Sequence, residues 1–321
     1  MGVPFTGFAS EPLYSLKSLR GIKAAIKLTQ ATAQARRALE ELKADVVFAT
    51  GGYSAAPVLL AARKLGIPYV VHEQNVVPGR SIKMVAPKAY CVLTTFRSGA
   101  EHFAGCQVRR VGLPLRKSFR QGGQASFNFE SKNDPAETSV LAMGGSQGAS
   151  ALNEAVLATV VRMSRYSVRW LHLSGVTHYD EIQQTASKLG VNSHYQVRAF
   201  LDGDEMASAV FGSTLSVCRS GAGTLCELAA FRKPSVLIPF PAAFGNHQYY
   251  NAKEFEDMGA ALVLPQKDLQ PSDLESRILL WVNEPERIER AQKALAEWDE
   301  PDALSNIIKI LRAGAARQPL P

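Results

Sequence analysis

The sequence lacks several features that define large classes of protein. It has no run of about 18 apolar residues, so no membrane-spanning helix is expected. Its first residues have no charged start followed by an apolar core and are unlike a secretory signal peptide. Its four cysteines have neither metal-site nor disulfide spacing, as in a protein of the reduced cytosol. It has no nucleic-acid-binding motif, so no nucleic-acid partner is expected.

The composition is that of a globular protein with an excess of positive charge. Of its 321 residues, 46% are hydrophobic and 20% are charged. A chain of this length is long enough for two domains. The net charge is +7 and the pI is about 9.2. A basic balance favours anionic partners, such as a phosphorylated substrate or an anionic lipid surface.

Apolar strands and helical segments alternate twice along the chain, which predicts two doubly wound α/β domains with a cleft between them. We predict an incomplete first domain over residues 1–120, a linker at 121–138, a second domain over 139–300, and a C-terminal helix and tail over 301–321. The predicted strands cover residues 45–50, 67–71, 89–95, 108–111, 139–143, 168–173, 195–200, 214–218, 235–240 and 261–264.

The stretch from Arg219 to Pro241 reads as a loop, a helix and a buried strand. Its small residues let a ligand approach the backbone closely, and the free N–H groups of a helix start suit a phosphate. Glu227, one turn into the helix, can accept hydrogen bonds from a ribose diol. The alternative is an ordinary helix N-terminus with small residues for packing.

The segment from Gly144 to Gly148 is a second candidate phosphate loop, because it follows a strand and opens a helix. Its alternative is a tight turn without a ligand. Past Pro241, the polar cluster from Asn246 to Asn251 offers donors for sugar hydroxyls, and Asn246 can also be a helix N-cap.

Two further segments admit two interpretations each. The cluster from His72 to Asn75 follows a strand, where His72 or Glu73 could act as a general base and Asn75 could position a sugar. Residues 15–43 carry isoleucines and basic residues that suit an anionic membrane surface, or form a solvated helix packed on a sheet. His172 alternates with leucines and is expected to be a satisfied core residue.

Taken together, the segments GGYSAAP, HEQN, GGSQG, RSGAGTLCELA, IPFP and NHQYYNA resemble one family. It comprises the bacterial UDP-N-acetylglucosamine–N-acetylmuramyl-(pentapeptide) pyrophosphoryl-undecaprenol N-acetylglucosamine transferases, which convert lipid I to lipid II in peptidoglycan synthesis. The resemblance implies a GT-B fold of two Rossmann-like domains, UDP-N-acetylglucosamine and lipid I as substrates, and neither cofactor nor metal. It also implies a peripheral location on the cytoplasmic face of the cell membrane, with proteins of cell-wall synthesis as partners.

The resemblance further implies roles for individual residues. Ser146 is expected on the diphosphate, Glu227 on the ribose, and the backbone of Leu201 on the uracil. The remaining expected donor contacts are the nucleotide-wrapping residues Ala222, Gly223, Thr224 and Leu225, the sugar-binding His247 and Gln248, and Asn75 and Arg116 of the first domain. Family members invert the anomeric centre by direct attack of the muramyl 4-hydroxyl, with helix-end N–H groups stabilising the leaving UDP.

One family motif is absent from this sequence. The family's first domain opens with a GGTGGH loop, which is expected to receive the acceptor diphosphate and whose histidine is a candidate base. Its absence predicts an N-terminally truncated first domain that lacks roughly 60 residues, at about 30 per βαβ unit. His72 and Glu73 then remain as base candidates, and transfer by this chain is expected to be impaired.

Two other functions compete with glycosyl transfer. A UDP-N-acetylglucosamine epimerase has the same fold, but it needs acid and base carboxylates, for which Glu73 is the obvious first-domain candidate. A truncated protein that binds the nucleotide sugar without turnover is the non-enzymatic alternative.

Overall fold

The structure is a computed structural model, and it describes residues 2, 4–8, 10–11, 18–120, 138–145 and 149–321. The chain forms two compact units, Met1–Leu113 with Asp302–Pro321, and Pro114–Pro301. The predicted linker, residues 121–138, lies outside the described residues apart from Thr138.

The first unit contains one parallel sheet with strand order β1-β2-β3-β4. Its elements are α1 (Leu19–Glu41), β1 (Val47–Ala49), α2 (Ala56–Leu65), β2 (Tyr69–Glu73), α3 (Arg80–Val85), β3 (Cys91–Thr94) and β4 (Val108–Arg110). Every residue of β2 and β3 is buried, as expected for strands of a parallel sheet covered on both faces.

Helix α1 is amphipathic and begins at an N-cap, Ser18, whose hydroxyl accepts the N–H of Gly21 at 3.0 Å. Its buried side chains include Ala24, Ala31 and Ala35, and the helix packs against α2. Ala35 and Leu39 share a core cluster with Val47, Tyr69 and Val71 of the sheet, as the packed-helix interpretation expects, while Ile22 and Ile26 on the other face of α1 remain exposed.

The second unit contains a larger parallel sheet with strand order β10-β9-β8-β5-β6-β7. Its elements are β5 (Thr138–Met143), α4 (Ser150–Arg162), β6 (Val168–Leu173), α5 (Tyr179–Leu189), β7 (Tyr195–Arg198), α6 (Gly203–Gly212), β8 (Leu215–Cys218), α7 (Ala222–Ala230), β9 (Ser235–Leu237), α8 (His247–Asp257), β10 (Ala261–Val263), α9 (Pro271–Val282) and α10 (Pro285–Trp298). None of the helices in the described parts of the chain is long and apolar enough to span a membrane.

The last helix, α11 (Ala303–Ala315), returns to the first unit. Ile307 and Ile310 pack there against Val70, Cys91 and Leu93 of the sheet. The predicted helix break near Pro301 lies between α10 and α11, and it coincides with the return of the chain to the first unit.

The segment from Pro114 to Arg120 belongs to the second unit, although the sequence placed it in the first. The Phe119 side chain is buried, with its ring centroid 5.5 Å from that of Phe231. Arg120 Nη1 lies 2.5 Å from a carboxylate oxygen of Asp299. These contacts join residues far apart in the chain, so local sequence patterns do not reveal them.

Candidate functional site

The connections of the second sheet reverse direction beside β5, which has β6 on one side and β8 on the other. Ligands of doubly wound proteins bind beyond the carboxyl ends of the strands at such a point. The loop after β5 begins with Gly144 and Gly145, and the loop after β8 runs from Arg219 to Gly221. One predicted phosphate loop therefore follows β5 and the other follows β8, and these two neighbouring strands lie at the reversal.

Helices α4 and α7 begin directly after these loops, and their N-cap residues, Ala149 and Gly221, form no side-chain cap. The first N–H groups of a helix lack partners within the helix and carry partial positive charge. A pocket of about 620 Å³ opens onto both helix starts. It is lined by Gly144, Gly145, Ala149, Ser150, Ala151, Arg219, Gly221, Thr224, Phe240, Gln248 and Gln266. Two positive helix ends at one pocket suit a diphosphate.

Gly145 has a φ of +96°, which L side chains rarely adopt, so the turn out of β5 requires glycine at this position. The next three residues of the loop, from Ser146 to Gly148, lie outside the described residues. The contact of Ser146 with a diphosphate therefore stays a prediction.

A second pocket, of about 200 Å³, adjoins the first, since Gly145, Arg219 and Thr224 line both. Its other lining residues are mostly apolar, with two ionisable side chains of opposite charge. They are Arg116, Met143, Leu173, Ala199, Phe200, Leu201, Met206, Cys218 and Glu227. A small apolar pocket with a carboxylate at its wall suits a nucleoside, whose base fits between apolar side chains while its ribose diol donates to the carboxylate.

Glu227 lies one turn after Thr224 on α7, and both side chains line this nucleoside pocket, as the sequence predicts. Burial raises the pKa of the Glu227 carboxyl above 4.5, and the charge of Arg116 acts in the opposite direction. A partly desolvated carboxylate has lost hydrogen bonds to water, so it gains from each donor that a ligand brings.

Arg219 lines both pockets, although it was not predicted as a site residue from the sequence. Its Nη1 donates to the C=O groups of Ile238 (3.0 Å) and Pro239 (3.2 Å), and its Nη2 donates to Oε1 of Gln266 (2.6 Å). These bonds fix the loop after β8 to the ends of β9 and β10. The sequence signal was available, because Arg219 directly precedes the small-residue loop.

Gln248 and His247 occupy different places at the start of α8. Gln248 lines the larger pocket, and its Oε1 accepts the N–H of Phe240 at 3.0 Å, which leaves its amide NH₂ as a donor group. The Nδ1 of His247 donates to the C=O of Phe244 at 2.8 Å, and His247 lines neither pocket. Asn246 precedes the helix at the N-cap position, but its side chain forms no cap.

The other residues predicted to contact the nucleotide differ in whether their side chains or only their backbones can reach a ligand. Thr224 lines both pockets, and Leu201 lines the nucleoside pocket although it is mostly buried. The side chains of Ala222 and Leu225 are buried, so these residues can serve a ligand through their backbone. A Cβ atom at Gly223 would meet nothing within 4 Å, which leaves space for a ligand beside this position.

In the first unit, the predicted base candidates are both buried. The Nε2 of His72 lies 3.1 Å from Oγ1 of Thr95, and burial lowers the pKa of His72 to about 4. Glu73 accepts the backbone N–H groups of Asn75 and Gly79, each at 3.0 Å, and also the side-chain amide of Asn75 at 3.4 Å. This geometry favours a structural role for Glu73 in the loop before α3.

Two family models match the chain. The N-terminal domain of glycosyltransferase family 28 matches residues 1–94, and its C-terminal domain matches residues 139–307. The C-terminal match alone spans more than half of the 321 residues. The chain belongs to glycosyltransferase family 28.

Two named relatives indicate which transferases of family 28 this chain resembles. It is 32% identical, over 97% of its length, to the UDP-N-acetylglucosamine–N-acetylmuramyl-(pentapeptide) pyrophosphoryl-undecaprenol N-acetylglucosamine transferase 2 of Bacillus thuringiensis (strain Al Hakam), and covers 85% of that protein. It is 33% identical, over 96% of its length, to the corresponding transferase of Anaeromyxobacter sp. (strain K), and covers 80% of it. The predicted membership of this transferase family is confirmed.

Solved structures show the same fold. The crystal structure of Acinetobacter baumannii MurG has a TM-score of 0.77 and 27% identity, with 95% of this chain and 83% of that chain covered. A putative UDP-N-acetylglucosamine 2-epimerase from Listeria monocytogenes has a TM-score of 0.66 at 10% identity, with coverages of 92% and 82%. The second likeness shows the fold alone. The predicted GT-B fold with two Rossmann-like domains is confirmed.

Proposed function

We propose that this chain transfers N-acetylglucosamine from UDP-N-acetylglucosamine to the 4-hydroxyl of the muramyl residue of lipid I, giving lipid II. The observation that carries the proposal is the pair of uncapped helix starts that open onto one pocket beside Glu227. The named activity of the family 28 relatives points to the same substrates.

In this proposal, the donor lies across the two adjoining pockets. The uracil and ribose occupy the nucleoside pocket with the ribose diol on Glu227, and the diphosphate lies against the starts of α4 and α7. The amide of Gln248 then donates to a hydroxyl of the sugar. The residues shared by the two pockets, Gly145, Arg219 and Thr224, would then lie beside the junction of the nucleoside and the diphosphate.

The proposed reaction is a single displacement with inversion. The muramyl 4-hydroxyl oxygen attacks the anomeric carbon, the bond from that carbon to the phosphate oxygen breaks, and UDP leaves with both electrons. The N–H groups at the two helix starts stabilise the negative charge that develops on UDP. The hydroxyl proton passes to a general base, and we do not assign that base to His72 or Glu73, because hydrogen bonds and burial already engage both.

We further propose that the first unit binds the membrane surface peripherally through α1. Ile22 and Ile26 are 48% and 54% exposed, and Arg20 and Lys23 beside them are exposed too. Apolar side chains flanked by basic ones suit an anionic bilayer surface. Lys27 forms an ion pair with Glu11, so it contributes less free charge than its sequence position suggests, and Lys17 lies outside the described residues.

A transfer assay tests the proposed reaction. The chain is incubated with radiolabelled UDP-N-acetylglucosamine and a lipid I analogue, and both the lipid product and the remaining nucleotide sugar are analysed. We expect a disaccharide lipid with a β-linked N-acetylglucosamine, formed together with UDP. Conversion of the donor to its 2-epimer would favour the epimerase alternative, and tight UDP binding without any turnover would favour the non-enzymatic one.

A further inference from the structure

Gly203 and Arg116 are in direct contact at the start of α6. A Cβ atom at Gly203 would lie 2.7 Å from Nη1 of Arg116, 3.4 Å from its Cδ and 3.6 Å from its Cζ. A real Cβ essentially never lies within 3.0 Å of such a neighbour. The end of the Arg116 side chain therefore occupies the space that any larger residue at position 203 would need.

The backbones on both sides of this contact are held in place. Phe119, three residues after Arg116, is buried against Phe231. The hydroxyl of Ser118 donates to the C=O of Gly203 at 3.4 Å. These contacts hold the segment from Arg116 to Phe119 in place beside α6. The Arg116 side chain therefore has a defined course across the start of this helix.

That course brings the guanidinium to the nucleoside pocket. Arg116 lines the pocket together with Glu227 and Leu201, and its charge acts on the Glu227 carboxyl. A guanidinium carries five N–H donors in a planar fork, which match the oxygens of a nucleotide. Arg116 and Glu227 thus give one pocket a donor for oxygen atoms and an acceptor for hydroxyl groups.

We propose that Gly203 is a positioning residue for binding of the nucleotide donor, because its missing side chain lets Arg116 lie across the start of α6 and reach the nucleoside pocket. The inference rests on the proposed function, since it takes the ligand of this pocket to be the UDP part of the donor. Gly203 itself acts through Arg116 and is a positioning residue.

The fold does not require glycine here. The φ of Gly203 lies outside the left-handed region, and Asp202 caps the helix with its carboxylate on the N–H groups of Asp204 and Glu205. Alanine favours a helix more than glycine does. The atom that a new Cβ would displace is the far end of a flexible side chain. The Gly203→Ala variant should therefore fold at least as stably as the wild type, with the guanidinium moved.

The test is a double-mutant cycle on UDP affinity, measured by calorimetry on the full chain with Gly203→Ala, Arg116→Ala and the double variant. Ser208→Ala, a change in the same helix away from both pockets, is the control. A hydrogen bond to a charged group sets the scale, so we expect each single variant to bind UDP about tenfold or more weakly. The double variant should match Arg116→Ala, because Gly203→Ala has no further effect once the arginine is absent.

Three results would overturn the inference. Unchanged UDP affinity in Gly203→Ala would show that position 203 does not control the arginine. Additive losses in the double variant would show that Gly203 acts independently of Arg116. A lower melting temperature for Gly203→Ala than for Ser208→Ala, with a matching loss of affinity, would show a general folding defect. Failure of the wild type to bind UDP would instead refute the proposed function, and the inference with it.

Discussion

The Nε2 of His172 lies 3.0 Å from Oδ1 of Asn153 in the interior of the second unit, where both side chains are buried. Asn153 donates its amide N–H to the C=O of Ser174 at 2.8 Å, so its Oδ1 is the acceptor and His172 carries its proton on Nε2. The Nδ1 of the neutral ring then accepts the hydroxyl proton of Tyr195 at 2.5 Å. One directed chain of hydrogen bonds joins β7, β6 and the first turn of α4.

This chain of hydrogen bonds fixes the helix start that borders the larger pocket, so we predict that Asn153→Ala weakens UDP binding. The change leaves the Ser174 C=O and the His172 N–H unpaired, at about 1–3 kcal/mol of unfolding free energy each. The control is Thr159→Val in the same helix, whose buried hydroxyl donates to the C=O of Ala155. At a temperature where both variants are folded, calorimetry should show weaker UDP binding for Asn153→Ala alone. Equal UDP affinities would contradict this positioning role.

Two buried histidines should make the fold sensitive to acid. Burial lowers the pKa of His172 from 6.5 to about 3 and that of His72 from 6.5 to about 4. Below pH 6.5 the unfolded chain binds protons that the folded chain does not, so the free energy of unfolding falls as the pH falls through this window. Each histidine contributes up to about 1.4 kcal/mol per pH unit.

The measurement is urea unfolding between pH 7 and 4. His172→Gln and His72→Gln should each reduce the slope of unfolding free energy against pH by up to about 1.4 kcal/mol per pH unit, which corresponds to one proton. His102→Gln, at an exposed position, is the control. Identical slopes in all four proteins would contradict the burial of neutral histidines.

Glu227→Gln should gain stability and lose affinity for UDP. The folded-state pKa of Glu227 is raised by burial, so the folded chain holds this proton to higher pH than the unfolded chain. Stability is then lost as the pH rises from the unfolded to the folded pKa, and a neutral amide avoids that loss. The ribose diol loses its charged acceptor, which lowers UDP affinity by roughly tenfold or more.

Thermal unfolding and calorimetry at pH 7 check both effects, and the control is Glu286→Ala at an exposed position of α10. For the wild type, UDP affinity should also fall with decreasing pH as Glu227 takes up its proton. A Glu227→Gln variant that binds UDP as the wild type does would rule out the ribose contact.

The exposed isoleucines of α1 should contribute to membrane binding. Replacing Ile22 and Ile26 together by serine removes apolar area that a bilayer would bury, so binding to anionic vesicles should fall by at least about tenfold. The matched control replaces Leu304 and Ile308 of α11, which are 59% and 40% exposed in the same unit. Sedimentation with anionic and neutral vesicles measures the effect. Equal losses in the two double variants would count against a specific role for α1.

Local patterns sufficed for much of the fold and of the site. The strands lie within about three residues of their predicted bounds, because continuous apolar runs have few alternatives in a parallel sheet. Glu227 and Thr224 could be predicted, since a helix start and the helical repeat place them on one face. The short helix α3 was missed, because six residues offer too little periodicity.

Contacts between distant segments could not be read from the sequence. The placement of Arg116 in the second unit depends on Phe119 meeting Phe231 and Arg120 meeting Asp299. The hydrogen bonds of Arg219 depend on the ends of two other strands. The structural use of Glu73 depends on how the loop up to Gly79 folds back onto its carboxylate.

We expect the nucleotide part of the donor to lie beside β5 and β8 in the second unit. A crystal structure of the chain with UDP tests it most directly. We expect the diphosphate within hydrogen-bonding distance of the N–H groups at the starts of α4 and α7, and the ribose hydroxyls on Glu227. UDP bound elsewhere, or bound with its ribose away from Glu227, would contradict it.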